Sequence, residues 1–400
     1  MRTRQGALFA LPLALVIGSM LGGGPAHAAS TGAVGGDLLA SRSTVVSAGA
    51  PALPRTAAAS WLVADLDSGE VLASRNPHGR YAPASTLKAL TAATLIPRLD
   101  PGALVQPTRD DINVDGSRVG LVQQVAYPVQ QLFTAMLVVS GNDAANALAT
   151  ANGGVTKTVA EMNAEARRLQ AFDTTAANTH GLDAPGQLSS AYDLALIGRA
   201  GMRLPAFRDY VAIKRSAISG PRGTTIAISS HNRLLWNYED AIGIKNGYTS
   251  RARATFIGAA TRGGHTLVVT MMRAEPRYWP EAAALLDWGF AAKRAGVTPI
   301  GQLVEPEPDE AALLSAPQEA LAVPAASHES LTAAPGPPLP TLVAFGLALS
   351  LPVLLVLRRR RASAVRSHER IQTGPSLSPY AASYDRCAAQ ELAGQSQRLR

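Results

Sequence analysis

Trp61-Leu62-Val63-Ala64-Asp65, then Asp67-Ser68-Gly69, then Val71-Leu72-Ala73-Ser74: two short apolar runs flank a turn-forming triplet, which predicts an antiparallel hairpin. Far downstream the pattern returns, with strand-like residues at 255–261 and 266–272 around Arg262-Gly263-Gly264. Ala283, Leu286 and Phe290 then mark one face of a closing helix over 280–293. Between the hairpins the apolar spacing is helical, at Leu132, Phe133, Met136 and Leu137 and again at Tyr192, Leu194, Leu196 and Ile197. Strands at both ends with helices between predict an α+β domain over 58–293, its chain ends sharing one antiparallel sheet.

The flanks read as targeting and tethering segments. Residues 1–28 have the form of a signal peptide: Arg2 and Arg4, an apolar run over 7–20, and the small-x-small site Ala26-His27-Ala28. Residues 29–57, rich in Ala, Gly and Ser, are expected to be a loose leader, and the Pro/Ala/Glu-rich stretch 294–340 a solvated spacer. Residues 341–357 carry no charge and run into Arg358, Arg359, Arg360 and Arg361, the pattern of a single membrane helix with a basic cytoplasmic tail over 358–400. This topology places the domain outside the cell, held to the membrane by one helix.

A net charge of +8 could mean a nucleic-acid partner, but the tail's nine Arg against Glu369, Asp385 and Glu391, together with Arg2 and Arg4, account for all of it. Residues 31–357 carry no net charge, which removes the electrostatic case for binding DNA or RNA. The one cysteine, Cys387, lies in the tail, so the domain has no internal disulfide. His180, His231 and His265 are far apart, with no i, i+4 pair, and imply no metal.

Three polar clusters carry chemistry. Ser85 and Lys88 are three apart at the head of a helical run, hence on one face; a lysine lowered in pKa by burial or nearby positive charge can act as the serine's base. Of the five lysines, only Lys88 has a serine three residues before it. Ser140-Gly141-Asn142 breaks two helical patterns, 129–139 and 143–151, and presents two polar side chains from one corner; a plain helix break capped by Asn142 or Asp143 is the alternative. Lys245-Asn246-Gly247 follows the apolar stretch 241–244; either the lysine, on a sheet edge, meets a substrate carboxylate where a glycine lets backbone approach, or it is an exposed turn lysine.

Taken together and in this order, Ser-x-x-Lys, Ser-x-Asn and Lys-x-Gly resemble the signature of penicillin-binding proteins and serine β-lactamases. The wider stretches Tyr81-Ala82-Pro83-Ala84-Ser85-Thr86-Leu87-Lys88, Ser140-Gly141-Asn142-Asp143-Ala144 and Gly243-Ile244-Lys245-Asn246-Gly247-Tyr248-Thr249 are similar to low-molecular-mass D-alanyl-D-alanine carboxypeptidases, as is Asn178-Thr179-His180-Gly181-Leu182-Asp183. The resemblance implies a serine peptidase trimming terminal D-alanine from peptidoglycan stem peptides through an acyl-enzyme on Ser85, and one that binds β-lactams, with no cofactor. It makes Lys88 the base, Ser140 the relay to the leaving amine, and Asn142, Lys245, Asn246, Gly247, Tyr248 and Thr249 the substrate contacts, with an oxyanion hole from the N–H groups of Ser85 and Tyr248. Asn246 departs from the Thr or Ser usual at that position, and no room remains before the tether for an additional β-rich domain. Two other readings are a β-lactamase, which wants Glu-x-x-x-Asn where Glu165 is followed four residues on by Leu169, and a non-catalytic wall sensor signalling through the tail.

Overall fold

The computed structural model describes residues 32–308. The expected signal peptide (1–28), membrane helix (341–357), tail (358–400) and the spacer beyond 308 lie outside the described residues. Among those described, no helix is long and apolar enough to cross a membrane.

Seven strands, β1 (Thr44–Val46), β2 (Ser60–Asp65), β3 (Glu70–Arg75), β4 (Ala241–Thr249), β5 (Arg253–Arg262), β6 (His265–Ala274) and β7 (Gly301–Gln302), form one antiparallel sheet. Their order is β1-β3-β2-β6-β5-β4, with β7 also on β3. The two hairpins meet where β2 pairs with β6, Val63 opposite Val269 and Leu62 opposite Thr270. Every residue of β2 is buried, which is why its sequence is a continuous apolar run and not an alternating one.

Six helices frame that sheet: α1 (Lys88–Leu95), α2 (Val129–Val138), α3 (Asn142–Ala151), α4 (Val155–Arg168), α5 (Ala191–Arg203) and α6 (Trp279–Arg294). Strand alternation sends Trp61 and Val63 to one face, where they pack with Val269, Leu285 and Leu286 beneath α6. Leu62 and Ala64 face the other way, into a larger core with Val268, Leu90, Leu132 and Ile197 from the helical region. Each fully buried large apolar side chain contributes about 1.5–3 kcal/mol, so both faces of the sheet are held and the α+β architecture follows.

Two boundaries differ from expectation. The leader is not loose throughout: β1 pairs with β3 from Thr44 opposite Arg75 to Val46 opposite Ala73, and Leu39 is buried in a 3-10 turn, Asp37–Ala40. The domain does not end at 293 either, because Ile300 and Leu303 are buried and β7 closes onto β3. Lys245 lies on a sheet edge, as its substrate-contact reading requires, in the nine-residue strand β4 and not in a turn. All three elements gain their stability from partners distant in sequence, a term that local composition does not carry.

Candidate active site

Ser85 is positioned by a strained entry. Tyr81 and Ser189 exchange backbone hydrogen bonds (2.8 Å each way), and Ala84 takes a left-handed φ of 47° immediately before the serine. A 3-10 turn, Ala84–Leu87, then leads into α1. From Ala82 to Leu90 every residue is buried except Ser85, so the turn brings one hydroxyl to the surface of a packed helix.

Lys88 lies one turn on and is fully buried. Its Nζ donates to Ser85 Oγ (3.0 Å), Asn142 Oδ1 (2.7 Å) and the His180 carbonyl (2.6 Å), which uses all three donors of an ammonium. Loss of water around the buried nitrogen, and then the charge of Lys245, hold its pKa well below the ordinary lysine range; Asp143 works against this shift.

Ser140 is a buried residue at a positive φ of 63°, the corner between α2 and α3. Asn142 opens α3 behind it and does not cap the helix; that position is Gly141. The Asn142 carbonyl is committed to Lys88 and its Nδ2 donates to the Asp115 carbonyl (2.6 Å), leaving one N–H for a ligand. Asp143 accepts from the backbone N–H groups of Val119, Gly120 and Leu121, fastening the loop that supplies Asp115.

Lys245 is buried in β4, its Nζ donating to the Asn246 carbonyl (2.8 Å), and burial lowers its pKa to about 7. Gly247 lies against the nucleophile's turn: a Cβ there would meet the Ser85 nitrogen and Thr255 Oγ1. Thr255 Oγ1 donates to the Pro83 carbonyl (2.7 Å), tying the next strand to the same turn. Asn246 is almost fully buried, and its side-chain amide makes no hydrogen bond among the described residues. Tyr248 is half-buried in the same strand, and Thr249 Oγ1 donates to Asp183 Oδ1 (3.2 Å). The Ser85, Asn142 and Lys245 clusters thus converge around one buried amine.

Residues 45–276 match the profile of the D-alanyl-D-alanine carboxypeptidase family. The chain is 43% identical over 251 residues to D-alanyl-D-alanine carboxypeptidase DacB2 of Mycobacterium tuberculosis, covering 61% of this chain and 86% of that one. This chain belongs to the D-alanyl-D-alanine carboxypeptidase family. Among solved structures, a D-alanyl-D-alanine carboxypeptidase from Mycobacterium tuberculosis H37Rv matches with a TM-score of 0.61 at 41% identity, over 66% of this chain and 99% of that one. The Streptomyces K15 DD-transpeptidase matches at 0.57 and 26%, over 60% of this chain and all of its own. The chain is accordingly a serine carboxypeptidase, a hydrolase of the penicillin-binding peptidase fold.

In this carboxypeptidase the loop after α4 does more than its sequence announces. Asn178 Oδ1 accepts from the N–H groups of His180 (3.3 Å) and Gly181 (2.7 Å), while Asn178 Nδ2 and Gln187 Nε2 both donate to the Leu182 carbonyl. That bracket aims the His180 carbonyl at Lys88 and lays Gly181 on the Ala84 carbonyl, where no side chain fits. The His-Gly pair in Asn178-Thr179-His180-Gly181 was the available signal for a backbone acceptor pressed against the serine turn. Glu165, the nearest match to a β-lactamase glutamate, is held by Arg168 in a two-bonded ion pair on α4.

One further cluster joins residues remote in sequence. His78, Asp173 and Asp193 bring ligand atoms within 4.8 Å of one another, but His78 Nδ1 is engaged by Asp173 (2.8 Å) and Nε2 by the Val34 carbonyl (3.0 Å). Asp193 Oδ2 accepts from Thr174 Oγ1 (2.7 Å). The cluster is a hydrogen-bonded knot behind the serine turn, joined to it through the Thr174 to Ser189 hydroxyl contact (2.9 Å) and the Ser189 to Tyr81 pair.

Proposed function

We propose that this carboxypeptidase trims the terminal D-alanine of peptidoglycan stem peptides through an acyl-enzyme on Ser85, and that β-lactams acylate the same hydroxyl. The observation that carries the proposal is the contact between Ser85 Oγ and a fully buried Lys88 amine whose proton affinity burial has lowered. A neutral amine at that distance takes the Oγ proton as the oxygen attacks the penultimate D-alanine carbonyl, a general-base effect of about 10²–10⁴ in rate. The backbone N–H groups of Ser85 and Tyr248 receive the developing oxyanion. When the C–N bond breaks, the leaving D-alanine amine gains a proton through Ser140, and water later cleaves the ester.

Substrate binding falls to the polar groups around the serine. The remaining Asn142 N–H meets the peptide backbone, and Lys245, with Asn246 and Thr249 on either side of Gly247 and Tyr248, receives the terminal carboxylate. A carboxylate beside Lys245 favours its charged form, reversing the effect of burial. Position outside the cell, behind the signal peptide 1–28 and tethered through 341–357, belongs to this proposal and agrees with a wall substrate.

The test is mass spectrometry of the intact protein after incubation with benzylpenicillin, alongside D-alanine release from a soluble pentapeptide. A single adduct of the drug's mass, absent in Ser85→Ala, together with released D-alanine, is the expected result. Adduct formation without D-alanine release would point to the wall-sensor reading; no adduct at all would remove Ser85 as the nucleophile.

A further inference from the structure

Beside the candidate site stands a two-stranded ribbon that the catalytic proposal does not use, Arg215–Ser219 paired with Thr225–Ser229. Its inner face is anchored: Ile218 and Ile228 are buried, and Ser219 N donates to Gln131 Oε1 on α2 (2.9 Å). The register sets Arg215 opposite Ser229 and Ala217 opposite Ala227, so strand alternation turns these four to the outer face, and all four are exposed. The short side chains of Ala217, Ala227 and Ser229 leave that face a shelf, about 13 Å long over four residue rises, with Arg215 at one end.

The base of the shelf is both aromatic and cationic. The Arg215 guanidinium lies 4.9 Å over the Trp236 ring, which is 36% exposed and fixed by Nε1 donating to the Ser230 carbonyl (3.0 Å). Between Val211 and Tyr238 the chain holds Lys214, Arg215, Arg222 and Arg233 and no carboxylate. All four cations are exposed, and none is in an ion pair among the described residues. In a segment 31–357 without net charge, this is a local positive field. The shelf is continuous with the catalytic corner: Ser230 N donates to the Lys214 carbonyl (2.9 Å), and His231 N donates to the Val138 carbonyl (3.1 Å), two residues before Ser140.

We infer that this shelf docks the anionic glycan-peptide polymer whose peptide ends the site trims, with stem-peptide carboxylates against Lys214, Arg215 and Arg233 and a sugar face against Trp236. The inference rests on the peptidoglycan substrate proposed above. An indole offers stacking area to the apolar face of a sugar, which a bare phosphate chain lacks, and the backbone of the shelf is bonded to the segment that leads into Ser140. Exposed charges contribute little singly and are screened over about 8 Å at physiological salt. The effect is therefore salt-dependent retention on the polymer, with turnover of a short soluble peptide untouched.

The experiment is co-sedimentation of the full chain with purified peptidoglycan stripped of phosphate polymers, in low and high salt, for wild type, Arg215→Glu/Arg233→Glu and Trp236→Ala. Binding of wild type at low salt, weakened roughly tenfold or more in the double variant with loss of the salt dependence, is expected, with kcat/KM on a soluble pentapeptide unchanged. Trp236→Ala is expected to weaken binding at both salt concentrations. Equal binding by wild type and variants would overturn the inference, as would a parallel fall in soluble-peptide turnover or binding that needs the phosphate polymers left in place. A wild type that sediments with the polymer yet releases no D-alanine from the soluble peptide supports the docking surface and removes the catalytic proposal.

Discussion

A Cβ placed on Gly247 would lie 2.5 Å from the backbone nitrogen of Ser85, so the edge strand touches the nucleophile's own peptide group. The same Cβ would lie 2.7 Å from Thr255 Oγ1, which is bonded to Pro83, so the strand cannot retreat without disturbing the serine turn. Gly247→Ala is expected to cost about 1–3 kcal/mol as overpacking. In the proposed mechanism the displaced groups bind the reacting carbonyl, so penicillin acylation should fall by about 10²-fold. Stopped-flow acylation beside a thermal melt separates the two effects; wild-type acylation in a folded variant would mean that β4 is free to move away.

The two buried lysines should shape the pH profile. In the proposed mechanism Lys88 is neutral when it accepts the serine proton, so acylation should be lost as pH falls through its lowered pKa; Lys245, at about 7, should lose its charge and its hold on carboxylates as pH rises. The charge on Lys245 is one of the causes that depress Lys88. Lys245→Met is therefore expected to raise the pKa of Lys88 and move the acid limb of the acylation rate to higher pH, besides weakening binding overall. An acid limb that stays in place would show that burial alone sets the base.

Asn246 stands where similar proteins usually carry Thr or Ser, and its amide has no hydrogen-bond partner among the described residues. A hydroxyl is smaller and donates along one direction, so it can meet a carboxylate beside Lys245 without presenting a carbonyl oxygen to it. Asn246→Thr should raise the second-order rate of β-lactam acylation about fivefold, the worth of one net hydrogen bond of about 1 kcal/mol. A rate that falls would mean that this strand has been refitted around the amide.

Much of this was legible in the sequence, and the rest was hidden for identifiable reasons. The hairpins at 61–74 and 255–272 and the helix after them carry their own periodicity, and the order of Ser85, Ser140 and Lys245 carried the site. What could not be read was whatever depends on contact: the His180 carbonyl on Lys88 is a backbone atom placed by Asn178, and only the adjoining glycine, Gly181, hints at it. β1 and β7 are only three and two residues long, too short for any period to show, and exist because β3 offers them an edge. The full length of β4 around Lys245 was hidden because Gly243 and Gly247 interrupt it, residues that weaken a strand signal where close approach requires them.

The knot behind the serine turn should set a pH dependence of stability. Burial raises the Asp193 carboxyl to about 7, the Thr174 bond opposing and the nearby Asp173 adding to the shift; His78, Ser189 and Ser190 complete its surroundings. With the folded pKa above the unfolded one, the stability this group contributes is full below the ordinary carboxylate range and is lost as pH rises through about 7. Asp193→Asn keeps an acceptor for Thr174 and removes the titration. It should melt several degrees above wild type at pH 8, an effect of about 2–4 kcal/mol, with the difference shrinking steadily as pH falls toward 4. A constant difference across that range would show that Asp193 is ionised throughout.

The clasp at the end of the domain fixes where mechanical load enters it. Traction on the chain leaving at 308 reaches the fold through Glu305, gripped by Arg199 and Arg203, and through Leu303 and β7 on the outer side of β3. Lys245 sits on the opposite margin of the sheet, with β2, β6 and β5 between. Tension through the proposed tether would peel the short β7 first, and the reacting groups would be the last to strain.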